Sequence, residues 1–509
     1  MSSINTNRIA VNTILLYVRM VFITLIALLT SRVLLNALGV VDYGIYNVVA
    51  GVVVLFSFLN TAMTSATQRF ITYSLGTESN EYSNKVFITS VLLHICIAAV
   101  FILLSESISY FIFHGLITIP EERIPVAKMV YQFAIIATTF HILAVPYVST
   151  IIAHEKLGYY AVISIIDAIL KLSVAYATKF SSLDKLFSYS ILFCLAASLT
   201  FLLYYIICKK QFSICEFRVI FDYSLFKKML SFSGWSLLGQ FSVVSFDQGS
   251  NILLNRFFTV ALNTTMGITN QVNNAVNNLV SSFQTAFQPQ ITKAYANSEF
   301  REMNILMQRA SRISYFLLLA VIIPIISNID LILQIWLKIV PEYCGIFCTL
   351  ILLSTIINSI SGPLWMSIFA SGDIRRYQIV LSSIYLSQIF IVWLCFKIGL
   401  QPYFAIIVKL ICSCLILFLR VFYNAKNVSG FKVLEYLKDV FKPILLATIS
   451  ILLFELPLRC FFLDCHELVI RIGLEVFCFI ISAWIIYIFG FKKSEREAII
   501  KQLTLMIRK

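Results

Sequence analysis

Charged residues are scarce in this 509-residue chain, at 13% of the total. Soluble domains carry about 25%, so the chain has too few charges to cover a water-soluble globule of its size, which excludes a soluble enzyme. Acidic residues are fewer than basic ones, 25 against 39, which gives a formal net charge of +14. Apolar residues are in excess, at 60%, with a mean hydropathy of +0.90. This composition also argues against disorder, collagen and a nucleic-acid-binding module.

Loops long enough to hold a separate soluble domain are also missing. A helix crosses a bilayer with roughly 20 mostly apolar residues, and segments of this kind take up more than half of the chain. The predicted spans are 11–31, 44–65, 86–105, 130–152, 159–177, 186–207, 233–254, 265–287, 313–330, 344–370, 377–396, 402–422, 443–462 and 468–489. We therefore predict an all-α polytopic membrane protein with about 14 transmembrane helices. The eighth span has the weakest hydropathy.

The positions of lysine and arginine predict how these helices are oriented. With the N-terminus in the cytoplasm, most of the 39 Lys and Arg residues fall in cytoplasmic segments, as the positive-inside rule requires. An even number of spans then leaves both termini inside. The first apolar run is too long for a signal peptide, so we expect it to remain as an anchor. The net charge of +14 is therefore mainly a topology signal.

The two halves of the chain carry matching motifs. PYVSTIIAHEKLGYY from Pro146 and PLWMSIFASGDIRRY from Pro363 align without a gap, with the proline, the charged turn and the tyrosine in the same order. The weaker matches are DYGIYN at 42–47 with TMGITN at 265–270, and Pro120-Glu121 with Pro341-Glu342. Both members of each pair have the same predicted orientation, which indicates a parallel repeat.

This parallel repeat predicts two six-helix lobes related by an axis along the membrane normal, plus two C-terminal helices. The predicted boundaries are an N-terminal lobe at 1–208, a cytoplasmic linker at 209–232, a C-terminal lobe at 233–422, and two additional helices with a basic tail at 423–509.

Cysteine indicates no metal site. Most of the 12 cysteines lie in predicted spans, where a free thiol behaves as a small apolar group. Cys344 and Cys348 lie one helical turn apart without the further ligands that zinc requires. We predict no cofactor. A disulfide between Cys460 and Cys465, near an outer loop, stays open.

Each charged residue inside a predicted span needs a structural or functional explanation, because a charged side chain at the bilayer centre costs on the order of 2.5–3.5 kcal/mol. Among these charges are Arg19, Asp167, Lys171, Asp247, Lys409, Arg471 and Glu475. Asp167 and Lys171 are four residues apart and can pair on one helix face, either as a structural pair or as part of a cavity. Arg471–Glu475 is favoured as a structural pair, and Lys409 can snorkel. Arg19 and Asp247 have no partner nearby in sequence, which favours a functional role.

Amide side chains form stripes on spans seven and eight. On span eight the stripe consists of Asn270, Asn274, Asn277, Ser281, Gln284 and Gln288, widened by Asn273 and Asn278. Span seven contributes Ser233, Ser236, Gln240, Asp247, Asn251 and Asn255. The spacings of three and four residues trace one helix face. Two adjacent stripes exceed what interhelical hydrogen bonding needs, and they favour a water-filled cavity. Amides suit sugar hydroxyls, whereas a cation such as Arg19 suits a diphosphate.

The segment TSRVLLNALGVVDYGIYNVVAGVVVLFSFLNTAMTSATQRF at 30–70 resembles the first two helices of bacterial polysaccharide (O-antigen repeat-unit) flippases. These belong to the oligosaccharidyl-lipid/polysaccharide exporter superfamily that also contains MATE drug exporters and the lipid II flippase. Asp247, Gly267 and the Pro146/Pro363 repeat resemble recurring positions in those proteins. The resemblance implies a V-shaped bundle of two six-helix lobes around a central cavity, in the bacterial cytoplasmic membrane.

The activity that this resemblance implies is the flipping of undecaprenyl-diphosphate-linked oligosaccharide repeat units, for O-antigen or a related surface polysaccharide. Implied partners are the lipid-linked oligosaccharide, the bilayer and, less directly, the polysaccharide polymerase machinery. We expect Arg19 and Lys171 to hold the diphosphate and the two stripes to hold the sugars while the lobes rock. Asp247 is the candidate for coupling to H⁺ or Na⁺.

Three alternatives are weaker on the residues. A cation-coupled drug exporter of the same superfamily needs acidic and aromatic residues for cationic ligands, whereas the charges in these spans are at least as basic as acidic. A glycosyltransferase or polymerase needs catalytic acids in a sizeable outer loop, and the first outer loop offers only Asp42. A structural scaffold leaves the span-eight stripe unexplained. No Walker motif is present, which argues against ATP hydrolysis.

Overall fold

The computed structural model describes residues 6–54, 57–77, 79–111, 120–216, 222–258, 260–337, 340–461, 468–490 and 496. Within these residues it contains helices and turns but no strand, which confirms the all-α prediction. The helices are α1 (Thr6–Val54), α2 (Ser57–Thr77), α3 (Asn80–Phe111), α4 (Ile124–Ala153), α5 (Leu157–Lys179), α6 (Lys185–Gln211), α7 (Tyr223–Phe257), α8 (Val260–Ala296), α9 (Phe300–Ser327), α10 (Ile329–Leu337), α11 (Cys344–Ser371), α12 (Arg375–Lys397), α13 (Phe404–Asn427), α14 (Val433–Tyr436), α15 (Lys442–Phe461) and α16 (Leu468–Gly490).

The protein is a multi-pass membrane protein. Ten helices in the described part of the chain are long and apolar enough to cross a bilayer. The four other predicted spans are not among these ten: the second lies on the end of α1 and the start of α2, and the others lie on α7, α8 and α15. For α8 the reason is its polar stripe, which lowers the mean hydropathy of a helix that is itself 37 residues long. At about 1.5 Å per residue such a helix is longer than the bilayer core is thick.

The loop expected between the first two spans is not a loop. The 49 residues of α1 form two helices that meet at a kink at Gly39, whose φ of 77° and ψ of 172° are not helical. Glycine adopts a positive φ at little cost because it has no Cβ. The apolar residues between Arg32 and Gly39 favour helix and contain no proline, so the chain bends at one residue instead of unwinding.

The matched proline segments have the same local backbone. Pro146 lies inside α4 and Pro363 lies inside α11, and each helix ends at a turn residue with positive φ. That residue is Glu155, with a φ of 59°, after α4, and Gly372, with a φ of 83°, after α11. The two are paired in the gapless alignment, so the repeat extends from sequence to backbone conformation.

The chain forms two compact units. Unit 1 comprises Met1–Val244, Thr292–Ser298 and Gly372–Ser382, and unit 2 comprises Ser245–Ile291, Glu299–Ser371 and Ser383–Lys509. Unit 1 contains a core of buried residues from α2, α3, α4 and α6, among them Ile71, Phe87 and Ile151. Unit 2 contains a smaller core around Leu333, Cys344 and Cys348. The lobe boundaries that the repeat predicts stay a prediction.

Two residue pairs considered from the sequence lie partly outside the side chains that the structure describes. The Cys460–Cys465 disulfide and the Arg471–Glu475 pair each involve side chains outside those that the structure describes. Glu475 itself accepts a hydrogen bond from Asn328 Nδ2 at 2.6 Å.

A glycine on α11 allows α8 to approach closely in unit 2. Gln284 Nε2 donates to Ser314 Oγ at 3.0 Å and to the Ser359 carbonyl at 2.9 Å. A Cβ built on Gly362 would collide with Gln284 Oε1. Gly362→Ala therefore displaces this amide and leaves polar groups without partners. We expect a loss of about 1–2 kcal/mol in the free energy of unfolding, read as a lower Tm of the purified protein.

Gly234→Ala is the matched control, because Gly234 is also helical and a Cβ there would meet nothing within 4 Å. Replacing a helical glycine by alanine favours the helix by roughly 0.5–1 kcal/mol, so its Tm should stay equal or rise. A change in Tm equal to that of Gly234→Ala would show that the Gln284 contacts contribute nothing.

Candidate functional site

Arg19 on α1 is held by neutral hydroxyls of α5. Its Nε donates to Ser164 Oγ at 2.6 Å and its Nη2 donates to Tyr160 OH at 3.1 Å. The guanidinium also lies over the Tyr160 ring, 4.4 Å from its centroid. Within the described part of the chain Arg19 forms no ion pair. Its positive charge is therefore positioned but not neutralised, which is the arrangement that an anionic ligand needs.

Asp167 and Lys171 continue the same face of α5. Residues 160, 164, 167 and 171 are spaced by four, three and four, which is one helix stripe. Lys171 Nζ donates to Asp167 Oδ2 at 2.7 Å, and Asp167 Oδ1 accepts from Thr200 Oγ1 of α6 at 3.0 Å. The pair expected from the sequence forms, and Lys171 is thus compensated where Arg19 is not. Tyr160 and Ser164 were missed, although the stripe through Asp167 contains both.

Asp247 on α7 has a partner that sequence proximity does not reveal. Lys409 Nζ on α13 donates to Asp247 Oδ1 at 2.8 Å, across 162 residues of sequence. The lysine side chain is 19% exposed and the aspartate side chain 41% exposed. The ion pair explains why both charges are tolerated inside spans. Lys409 therefore does not need to snorkel.

The amide stripe on α8 is divided between exposed and packed residues. Asn274 and Asn277 are exposed, and Asn270 is partly buried. Gln284, two turns beyond Asn277 along the stripe, donates hydrogen bonds to α9 and α11. Exposed amides in the middle of a spanning helix require water, because hydrocarbon offers them no hydrogen bonds. The stripe thus has a packed end and an end available to a solvated ligand.

The stripe on α7 includes an unsatisfied acceptor. Asn251 Oδ1 is buried and receives no hydrogen bond from any residue that the structure describes. Gln240, three turns earlier on the helix, is partly buried. A buried acceptor without a donor costs about 1–3 kcal/mol, and a ligand hydroxyl or a water would satisfy it.

The candidate residues fall into the two units. Arg19, Asp167, Lys171 and Gln240 belong to unit 1, whereas Asp247, Asn251, Asn270, Asn274, Asn277 and Gln284 belong to unit 2. In unit 1 the structure brings the first three together along α5. In unit 2, Asp247 and Asn251 lie one turn apart on α7, and the α8 amides form one face.

Asp42, the acidic residue of the first predicted outer loop, forms an ion pair. Asp42 Oδ2 accepts from Arg123 Nη2 at 2.7 Å, and Arg123 Nη1 is paired with Asp184. Burial raises the pKa of Asp42, which Arg123 opposes. Burial also acts to raise the pKa of Asp184, but hydrogen bonds from the Phe187 amide and Arg123 hold it below its usual range. Asp42, the acid weighed for a glycosyltransferase or polymerase, is thus part of an ion-pair network with Arg123 and Asp184.

Comparison with solved structures gives extensive matches. A MATE transporter in the bent conformation aligns with a TM-score of 0.73 at 12% identity, covering 84% of this chain and 96% of the other. An outward-facing multidrug resistance MATE family transporter of the MOP superfamily gives 0.71 at 12%, covering 82% and 96%. A MOP superfamily transporter from Pyrococcus furiosus, described as having a binding pocket of reverse polarity, gives 0.71 at 11%, also covering 82% and 96%.

The chain has the MATE/MOP transporter fold. Comparison with protein-family models and with curated proteins finds no match. At 11–12% identity the structural alignments establish the MATE fold and nothing about the ligand. The alignments therefore agree with the fold that the resemblance at residues 30–70 implies.

Within this MATE-type fold, the Asp247–Lys409 pair can be tested for a role beyond mutual neutralisation. Asp247→Asn leaves Lys409 unpaired in a span, so we expect lower expression and a lower Tm. The double variant Asp247→Asn with Lys409→Met removes both charges, and we expect it to recover most of the Tm, since the penalty is the unpaired ion. The double-mutant cycle measures the coupling between the two residues.

Activity of the double variant separates two roles of Asp247. If the carboxylate only neutralises Lys409, transport returns together with the Tm. If it also carries a coupling ion, the double variant folds and does not transport. A double variant that is less stable than either single variant would show that the ion pair is not the reason for the two charges.

Proposed function

We propose that this protein flips undecaprenyl-diphosphate-linked oligosaccharide repeat units from the cytoplasmic to the outer leaflet of the bacterial inner membrane by alternating access, for O-antigen or a related surface polysaccharide. The observation that carries the proposal is Arg19, a cation on a spanning helix whose neighbours are hydroxyls and an aromatic ring. A diphosphate supplies the negative charge that this position lacks.

The physical problem is the head group. A diphosphate with several sugars carries many polar groups, and each would cost several kcal/mol if it entered hydrocarbon without a partner. In this proposal the polyprenyl tail stays in lipid while the head follows a hydrated path. Arg19 binds the diphosphate, with Lys171 adding positive potential although Asp167 offsets most of it.

Neutral amides provide the rest of the path. Asn274 and Asn277 are exposed on α8, and Asn251 Oδ1 on α7 is an acceptor in need of a donor. An amide both donates and accepts, as a sugar hydroxyl does, so it can exchange partners as the sugars move. Because no single amide is matched to one sugar, we expect a stripe of this kind to tolerate variation in the oligosaccharide.

The energy source in this proposal is an ion gradient, H⁺ or Na⁺. Moving one charge through the membrane is worth about 2.3 kcal/mol per 100 mV. Asp247 is the candidate residue, since its carboxylate is the more exposed partner of the pair with Lys409.

The test of Arg19 is complementation of a strain that lacks its O-antigen flippase. Arg19→Gln keeps a hydrogen-bond donor and removes the charge, and we expect at least a tenfold loss of surface polysaccharide at equal expression. Arg32→Gln on the same helix is the control, because Arg32 is exposed and lies outside the candidate residues. Wild-type polysaccharide levels with Arg19→Gln would refute the role given to Arg19.

The test of the stripe uses Asn274→Leu in the same assay. An apolar side chain there blocks hydration of the path, and we expect a several-fold loss of surface polysaccharide. Gln132→Leu, which removes an exposed amide on α4 outside the stripes, should leave the amount unchanged. Equal effects of the two leucine variants would mean that the stripe has no special role.

The second candidate is a cation-coupled exporter of drugs, which the fold favours because one structural neighbour is described as a multidrug resistance transporter. Such an exporter needs an acid for a cationic ligand, but Asp167 and Asp247 are each paired with a lysine. Drug resistance conferred by the wild-type protein, without any effect on polysaccharide in the complemented strain, would favour the exporter.

A further inference from the structure

A cavity of about 650 Å³ lies within unit 2. Its walls are the first turns of α9 and the segment from Gly430 to Asp439. Two contacts hold the walls together. Arg312 Nη1 donates to the Asp439 carbonyl at 3.0 Å, and Tyr436 OH lies 3.2 Å from Ser311 Oγ. None of the ten residues proposed for the transport path lines it.

The charged lining of this cavity is mainly basic. It consists of Arg301, Arg309, Arg312 and Lys432 against Glu435 and Asp439. Glu435 is at the rim, where it forms an ion pair with Lys432 at 2.9 Å and both side chains are more than half exposed. Arg312, in contrast to this exposed pair, is buried, with only 1% of its surface exposed. Four cationic and two anionic side chains line the cavity, so the net charge of its lining is positive, as the binding of a phosphate group requires.

A buried amide in the same cavity also lacks one partner. Asn304 is 7% exposed, and its Nδ2 lies 3.5 Å from the Ser429 carbonyl. Its Oδ1 receives no hydrogen bond from any residue in the described part of the chain. Gln308 adds a second amide to the lining. The cavity therefore offers amide groups for the hydroxyl or ester oxygens of a phosphate ester in addition to cations.

The surroundings of the cavity favour a lipid as the source of the phosphate. Leu434 and Leu437, on the segment that bears Lys432, are 82% and 43% exposed, and Phe422 at the end of α13 is 70% exposed. Exposed apolar side chains of this size beside a basic cavity match a membrane interface, where acyl chains and headgroups meet. The positive-inside rule predicts both walls to be cytoplasmic, and anionic lipids concentrate basic segments at that surface.

We propose that this cavity is a binding site for a phosphate-bearing anion, supplied by the headgroup of an anionic phospholipid of the cytoplasmic leaflet. Arg301 and Arg309 contact the phosphate at the entrance, Arg312 holds its charge from behind, and Asn304 bonds the headgroup hydroxyl. The site is independent of the transported substrate. Glu435 weakens it, because it competes with the anion for Lys432.

The experiment follows the Tm of the purified full-length protein in a neutral detergent. Separate samples are titrated with dihexanoyl-phosphatidylglycerol, with dihexanoyl-phosphatidylcholine, and with potassium phosphate against potassium chloride of equal ionic strength. A ligand that binds only the folded state raises Tm in a saturable way. We expect saturation with phosphatidylglycerol and none with phosphatidylcholine, and Arg301→Gln with Arg309→Gln should shift the midpoint of the titration at least tenfold.

The matched control is Lys426→Gln with Lys438→Gln, which removes two exposed charges from the same predicted cytoplasmic surface outside the cavity lining. Its midpoint should move less than twofold. Glu435→Gln should move the midpoint in the opposite direction, towards tighter binding. If the double arginine variant is less stable without ligand, the exposed Arg301→Gln alone gives the comparison.

Each result decides the proposal. Saturation with phosphatidylglycerol alone identifies a lipid site, and saturation with inorganic phosphate as well still supports a phosphate site. Saturation by neither, or equal shifts for the arginine pair and the lysine pair, overturns it. Transport is not part of the readout, so failure of the flippase assignment would leave this result unaffected.

Discussion

Inside a bilayer, every polar group needs either a hydrogen-bond partner or water. This requirement explains the polar contacts between the described helices. Lys171 meets Asp167, whose second oxygen accepts from Thr200, and this ties α5 to α6. Lys409 meets Asp247, which ties α7 to α13. Hydrocarbon competes weakly for such groups, so each satisfied group fixes the helices that carry it. Groups that helices leave unsatisfied are then the ones available to a ligand.

In the candidate site, the sequence could predict contacts within one helix but not contacts between helices that are distant in sequence. The Asp167–Lys171 pair is local, because a spacing of four residues places both on one helix face. Asp247 and Lys409 are 162 residues apart, and no pattern within one helix encodes their meeting. The sequence shows that Arg19 is a cation in a predicted span. Its hydroxyl partners depend on the packing of α1 against α5, and a hydropathy pattern carries no information about which helices pack together.

The fold was more predictable than the site because hydropathy reports membrane burial residue by residue. Nearly all residues of the predicted spans lie in helices. The exceptions are Asn328 in the ninth span, Pro402 and Tyr403 in the twelfth, and residues 55–56 and 462, which fall outside the described residues. The errors are at the boundaries. A loop was expected before residue 44, where one glycine bends α1, and α8 extends to Ala296, well beyond the apolar stretch that marked it. Hydropathy ends where the bilayer ends, whereas a helix ends where its backbone hydrogen bonds stop.

The basic residues of the predicted cytoplasmic segments do more than set topology. Topology requires only that lysines and arginines remain in short loops on one side, where solvent stabilises them at no cost. Arg312 is 1% exposed, and removing a guanidinium from water carries a penalty that the positive-inside rule does not require. The hydrogen bond from Arg312 to the Asp439 carbonyl offsets part of that desolvation penalty and holds the guanidinium at the wall of the cavity. Arg312 lines the same cavity as Arg301 and Arg309, and the anion that we propose there would interact favourably with all three guanidinium groups.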